Sequence, residues 1–209
     1  AENPDDVRDG AANLRKQIAN VRAHGVTPVV AVNAFPGDHD SEKQAIVDVA
    51  AEEGVRAAVP THASRGGKGA AELAEAVAEA CAEPAAFAHL YPDGASLTEK
   101  IETIARRMYG ADGVELSATA RRQLDDYERH GFARLPVCVA KTHLSLSADP
   151  SRKGAPVGWT LPVREVRLSA GAGFVYPICG DMRTMPGLSS QPAAEHIDID
   201  EAGQVVGLS

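Results

Sequence analysis

"VTPVVAVNAF", residues Val26 to Phe35, is a short and almost unbroken apolar run rich in valine. Alternation would mark a strand with one wet face, whereas continuity marks a strand covered on both faces, as in a parallel sheet. Its flanks set the class. Upstream, "DDVRDGAANLRKQIANVRAHG" spaces Val7, Ala11, Leu14, Ile18 and Val21 at steps of three or four residues, which lines one face of a single helix that Gly25 ends. Downstream, "SEKQAIVDVAAEEG" predicts a second helix: Ser41 and Gln44 have capping-box spacing, and Ala45, Val49 and Ala50 follow on an apolar face. "VRAAVPTHA" repeats the buried-strand signature, "SRGGKG" reads as a flexible turn, and "AAELAEAVAEACAE" favours helix until Pro84 stops it. Helix, strand, helix, strand, helix is the order of an α/β fold with parallel strands and right-handed crossovers.

From Pro84 to Gly94, "PAAFAHLYPDG" breaks that rhythm. Ser96 and Glu99 then have capping-box spacing, and Leu97, Ile101, Ile104, Ala105 and Met108 form an apolar stripe that ends near Gly110. "SATARRQLDDYERHG" predicts another helix, with Leu124 and Tyr127 pointing inward and Gly131 as its stop. Beyond Leu135 the texture is strand and turn: "LPVCVAKT", "GWTLPVREVRL", "AGFVYPICG" and "HIDIDEAGQVVGL", the last read as a hairpin turning through Asp200 to Gly203. The expected architecture is a parallel-sheet α/β segment over residues 1–91, followed by a smaller α+β domain over 92–209 that ends in strands and a hairpin.

A chain of 209 residues suits one large domain or two of about 100 residues each. Its formal charge of −8 argues against a nucleic-acid partner, which normally demands a clustered basic surplus. No apolar run approaches the roughly 18 residues that span a bilayer, and "AENPDDVRDG" has neither the basic flank nor the apolar stretch of a signal peptide. No membrane partner and a cytoplasmic location are therefore expected. Cys81, Cys138 and Cys179 are odd in number, far apart and not in Cys-x-x-Cys pairs, which fits a reducing setting without a disulfide framework or thiolate zinc site.

The motifs that carry chemistry mostly fail. A P-loop needs G-x-x-x-x-G-K-[ST], and the nearest stretch, Arg65 to Gly69, reads either as a strand-to-helix turn or as a weak anion site at a helix N-terminus. "SAGAGFVYPICGDMRTMPGL", Ser169 to Leu188, begins G-x-G but has Tyr176 in place of the third glycine of a dinucleotide fingerprint, so strand bends and a tight loop are expected instead. The Asn-Lys-x-Asp motif fails at Ala34 and Pro36, and an EF-hand fails at Ala202 and Ser209. No H-x-x-x-H, H-E-x-x-H or G-x-S-x-G is present. These patterns assign no nucleotide-binding, metal-binding or catalytic residue.

Longer phrases say more. "VVAVNAFPGD", "RGGKGAAELAEAV", "EKIETIARRMYGADGVELS", "LPVCVAKTHLSLSADPSRKGAP", "VREVRLSAGAGFVYPICGDMRTMPGL" and "HIDIDEAGQVVGL", in order over nearly the whole chain, resemble the C-terminal part of formate–tetrahydrofolate ligases. The resemblance implies an enzyme family of one-carbon metabolism that joins formate to tetrahydrofolate with ATP, by way of formyl phosphate, giving 10-formyltetrahydrofolate, ADP and phosphate. It further implies magnesium, a monovalent cation such as potassium, and a homo-oligomer. In that family the P-loop belongs to a large N-terminal domain, so ATP and magnesium are expected on a missing N-terminal domain or subunit. Two roles stay open: a portion of the ligase that is inactive alone, and a non-catalytic folate-binding or subunit-contact module.

The resemblance also implies that the pterin ring lies between side chains of "LPVC" and "GWTLPVRE", which places Leu135, Pro136, Trp159 and Val163 at tetrahydrofolate. Stacking on a broad apolar face favours a flat ligand, and Trp159 and Val163, four apart in a strand, point to one side. Trp159 reads equally as a core residue, and Leu135-Pro136 as a strand entrance. Lys141 and Thr142 end an apolar strand, where a sheet opens toward ligand, and are expected at the polar tail or pterin edge of the folate. They also read as a solvent-facing lysine and a turn-forming threonine.

Overall fold

The computed structural model describes residues 2–35, 37–180 and 192–207. In the first half, β1 (Val29–Ala31) and β2 (Arg56–Ala58) pair in parallel, with Val30 opposite Ala57, and α3 (Asp40–Glu52) makes the crossover. The Val26–Phe35 run is thus a strand of only three residues, prolonged by a bond from Val32 N–H to the Ala58 carbonyl at 2.9 Å. α5 (Ala71–Ala82) packs against both strands and α3 against β2. Ile18, Val30, Ala50 and Val55 form the buried cluster here, with Leu14, Ile46 and Ala57 packed on it.

Three local expectations are corrected. The first helix is two: α1 (Pro4–Asp9) and α2 (Ala11–Arg22) meet at Gly10, a residue that costs a helix interior about 1 kcal/mol relative to alanine. α1 packs on α3, where Arg8 pairs with Asp48 at 2.9 Å and Asn3 N–H donates to Glu42 at 2.8 Å. Second, Ser41 does not cap α3; the helix begins at Asp40 after His39, and the Ser41 hydroxyl donates to Glu2 instead. Third, "SRGGKG" is ordered as α4 (His62–Arg65) and a 3-10 turn over Gly66–Ala70. A Cβ at Gly69 would lie 2.6 Å from the Thr61 carbonyl, so that closure requires glycine.

In the second half, α6 (Leu97–Arg107) carries the expected capping box: the Ser96 hydroxyl accepts from Glu99 N–H at 3.2 Å, and Glu99 accepts from Ser96 N–H at 2.8 Å. A strand that the sequence pattern does not predict, β3 (Gly113–Leu116), pairs in parallel with β4 (Thr160–Ser169); α7 (Ala118–Arg129) follows β3, and β4 pairs antiparallel with β5 (Phe174–Cys179). Ser169 to Gly173 is the β4–β5 turn, closed by Gly173 N–H to the Ser169 carbonyl at 2.8 Å, while residues 181–188 of the same stretch lie outside the described residues.

"LPVCVAKT" makes only two parallel bridges to β5, Val137 to Val175 and Ala140 to Ile178. Pro177 stands between those partners and has no N–H to give, which interrupts the ladder. α6 and α7 cover the sheet with Leu97, Ile101, Ala105, Ala120 and Leu124, meeting Trp159, Leu161, Val163, Val166, Val175 and Cys179 in the larger core. β6 (Asp198–Ile199) and β7 (Val205–Val206) form the expected antiparallel hairpin, whose turn Asp200 holds by accepting from Ala202 and Gln204 N–H, each at 2.9 Å. The architecture is mixed α/β with parallel strands and this C-terminal hairpin. Among the described residues, no helix is long and apolar enough to cross a membrane.

Candidate functional site

The segment Val137–Ala140 runs along β5 into Lys141, where the backbone leaves the sheet. A cleft of about 460 Å³ opens there, lined by Asn13 and Gln17 of α2, by Tyr109, and by Val139 to Leu146 with Ala140 excepted. α2 is held against this half by Asn13 Nδ2 to the Gly154 carbonyl at 3.1 Å, Lys16 Nζ to the Arg107 carbonyl at 2.7 Å and Asn20 Nδ2 to the Met108 carbonyl at 3.0 Å.

Lys141 builds one wall of the cleft. Its ammonium donates to the carbonyls of Thr142 at 3.0 Å, Ser147 at 3.3 Å and Ser145, and stands 4.8 Å from the centre of the Tyr109 ring. Ser145 and Ser147 are buried and bond hydroxyl to hydroxyl at 3.0 Å, which ties the loop to itself. Burial pushes the Lys141 pKa down, and pushes both the Cys179 thiol and the Tyr109 phenol up to about 12. At neutral pH the Tyr109 phenol in the lining and the Cys179 thiol in the core behind it are therefore uncharged. The ammonium spends its donors on backbone carbonyls, so it shapes the loop, while Thr142, His143, Asn13 and Gln17 supply the polar lining.

The six residues expected at tetrahydrofolate divide into separate places. Lys141 and Thr142 lie in this cleft. Leu135 packs partly buried on the larger core, and Pro136 is exposed, its carbonyl accepting from Val175 N–H at 2.9 Å. Trp159 is 7% and Val163 1% exposed, so both side chains face into the core with Leu161 between them in sequence. The indole N–H donates to the Pro156 carbonyl at 3.0 Å, and the residue borders a smaller cleft of about 240 Å³ with Asp149, Arg152 and Gly180. No broad indole face is open. Among the described residues, no three His, Cys, Asp or Glu side chains gather closely enough to hold a metal ion.

Sequence reasoning missed Asn13, Gln17, Tyr109 and the buried Lys100. Asn13 and Gln17 are four apart and share a helix face, a visible signal; Tyr109 and Lys100 acquire their surroundings only through tertiary contacts. Comparison with known proteins adds what geometry alone does not. The family model described as formate–tetrahydrofolate ligase matches residues 1–209. The chain belongs to this family. A formate–tetrahydrofolate ligase of Saccharopolyspora erythraea is 70% identical over 209 residues, covering 100% of this chain and 37% of the relative. One of Rubrobacter xylanophilus is 60% identical over 216 residues, with 99% and 38% covered, and one of Cutibacterium acnes 54% identical over 207 residues, with 99% and 37% covered. The chain thus spans under two fifths of the length of these formate–tetrahydrofolate ligases.

Proposed function

We propose that this chain is the C-terminal portion of an ATP-dependent formate–tetrahydrofolate ligase of the cytoplasm, which forms 10-formyltetrahydrofolate by way of formyl phosphate. The observation that carries the reading is the family match over every residue, with a ligand-sized polar cleft at the strand end where Lys141 and Thr142 stand. On this reading Thr142 and the loop shaped by Lys141 meet the polar part of tetrahydrofolate, Leu135 and Pro136 offer apolar contact, and Trp159 and Val163 support them from the core. ATP, magnesium and the monovalent cation belong to the remainder of the ligase, with which this chain assembles in a homo-oligomer.

The test is a calorimetric titration of the chain with tetrahydrofolate under reducing, anaerobic conditions, beside an assay with formate, ATP, magnesium and potassium. Saturable binding is expected, weakened roughly tenfold, or about 1.4 kcal/mol, in Lys141→Met, with no 10-formyltetrahydrofolate made by the chain alone. Absence of binding in the folded chain would overturn the folate assignment, and turnover by the chain alone would overturn the division of labour. The second reading, a subunit-contact module, draws on the apolar side chains that the terminal hairpin leaves exposed, Ile199 and Val205 above all.

A further inference from the structure

Lys100 is fully buried in α6, and its ammonium donates to the carbonyls of Ala133 at 2.8 Å and Leu135 at 3.1 Å. It also stands 5.7 Å from the centre of the Tyr91 ring, and the Tyr91 hydroxyl accepts from Val137 N–H at 3.1 Å. Among the described residues it has no ion-pair partner; burial pushes its pKa down, Asp93 and Glu128 favour its charge from farther away, and Arg134 opposes it. A buried ammonium is costly unless its protons are used, and a methionine would fill the same space without that cost. What the lysine adds is therefore the grip on two carbonyls.

The segment needs that grip. Pro136 has no N–H, so a regular ladder cannot hold the chain across it, and only its carbonyl is engaged by β5. The flanking polar groups are taken instead by side chains from outside the sheet: Ala133 and Leu135 carbonyls by Lys100, Val137 N–H by Tyr91. We propose that Lys100 and Tyr91 are positioning residues that fix Ala133 to Val137 and so set how Leu135 and Pro136 are presented to tetrahydrofolate. This assignment rests on the folate reading of those two residues.

The experiment compares the whole chain with Lys100→Met, Tyr91→Phe and, as a control in the other core, Val30→Ala. Amide exchange at Val137 and tetrahydrofolate affinity are read together with the unfolding midpoint. Tyr91→Phe removes one oxygen and keeps the ring, so it retains the fold if Lys100→Met does not. The expected result is Val137 exchange at least tenfold faster in Tyr91→Phe and affinity three- to tenfold weaker, while Val30→Ala weakens amide protection over β1 and β2 and leaves affinity unchanged. Unaltered Val137 exchange, or an equal affinity loss in Val30→Ala, overturns the proposal. If the unaltered chain fails to bind tetrahydrofolate, the folate reading falls, and Val137 exchange alone decides whether Lys100 and Tyr91 hold the segment.

Discussion

The chain uses parallel strands joined through a helix twice, and the two uses end differently. β1–α3–β2 pairs strands of three residues each, and its buried cluster holds Ile18, Val30, Ala50 and Val55. In the β3–α7–β4 unit, β4 runs for ten residues and gains antiparallel β5 on its other side, and the buried set extends from Leu97 to Cys179. The local grammar is the same, so the difference lies in the added partner. Each further strand brings another row of side chains under α6 and α7, and stabilisation grows with the apolar area removed from water, about 25 cal/mol per Å². A lone parallel pair has little to place between its helices. Val21 and Val77, 39% and 44% exposed, border an open apolar groove beside β1.

The largest effect expected to sharpen this contrast comes from Ile101→Ala, which removes a fully buried side chain from the larger core and costs about 2–5 kcal/mol. Trp159 fluorescence reports that core during denaturant unfolding. Val30→Ala, losing the equivalent of two methylenes, costs about 1–2 kcal/mol and is expected to weaken amide protection over residues 29–32 and 55–58 without moving the Trp159 transition. Equal movement of the fluorescence transition in both variants would break the contrast, because the halves would then unfold as one.

Alkaline pH separates the halves next. Cys179 and Tyr109 rise to about 12 from ordinary values of 9.0 and 10.0, through burial, so the unfolded chain releases these protons first. Their contribution is complete below pH 9 and is lost as pH climbs toward 12, at up to about 1.4 kcal/mol per pH unit for each group. Lys141 acts in the opposite sense: its pKa is lowered by burial, so the cost of burying its charge is relieved as pH rises toward the ordinary 10.5. Burial also raises the Tyr127 phenol and lowers the Lys100 ammonium in the same half, one on each side; the large rises of Cys179 and Tyr109 decide the sum, so the Trp159 unfolding midpoint is expected to fall above pH 9 while protection in β1 and β2 does not follow. A midpoint unchanged between pH 7 and 10.5 would remove the thiol and phenol from this account.

Features decided by neighbours in sequence were legible before the fold was known. The α/β class, the extents of α5, α6 and α7, and the hairpin turn at Asp200 all follow from spacing and caps within a few residues. β3 was not, because its four residues fall between two strong helices, and Val114 and Leu116 alone give too little alternation to mark a strand. The interruption of "LPVCVAKT" depends on Pro177, far along the chain, and no reading of the segment itself reveals it. Lys141 and Thr142 follow an apolar strand-like segment, where sheets open toward ligand, and both line the cleft there. The packing of Trp159 against the core, the ring of Tyr109 under Lys141 and the burial of Lys100 are products of assembly.

The smallest effect tests how far a local pattern can be trusted. Ser96 and Ser41 share the same sequence signature, yet only Ser96 completes a capping box; Ser41 lies one residue inside α3 and donates to Glu2. Ser96→Ala is expected to cost about 1 kcal/mol in the Trp159 transition, because α6 carries Leu97, Ile101 and Ala105 into that core and the orphaned Glu99 N–H loses its acceptor. Ser41→Ala is expected to stay within about 0.5 kcal/mol, as for a half-buried surface residue outside a cap. Equal losses would mean that α3 starts after Ser41 in solution, with Ser41 as its cap. Unequal losses would mean that the same four-residue phrase caps a helix only where the chain before it is already held away, as Pro92 to Ala95 hold it ahead of Ser96 through the bond from Ala95 N–H to the Pro92 carbonyl at 3.0 Å.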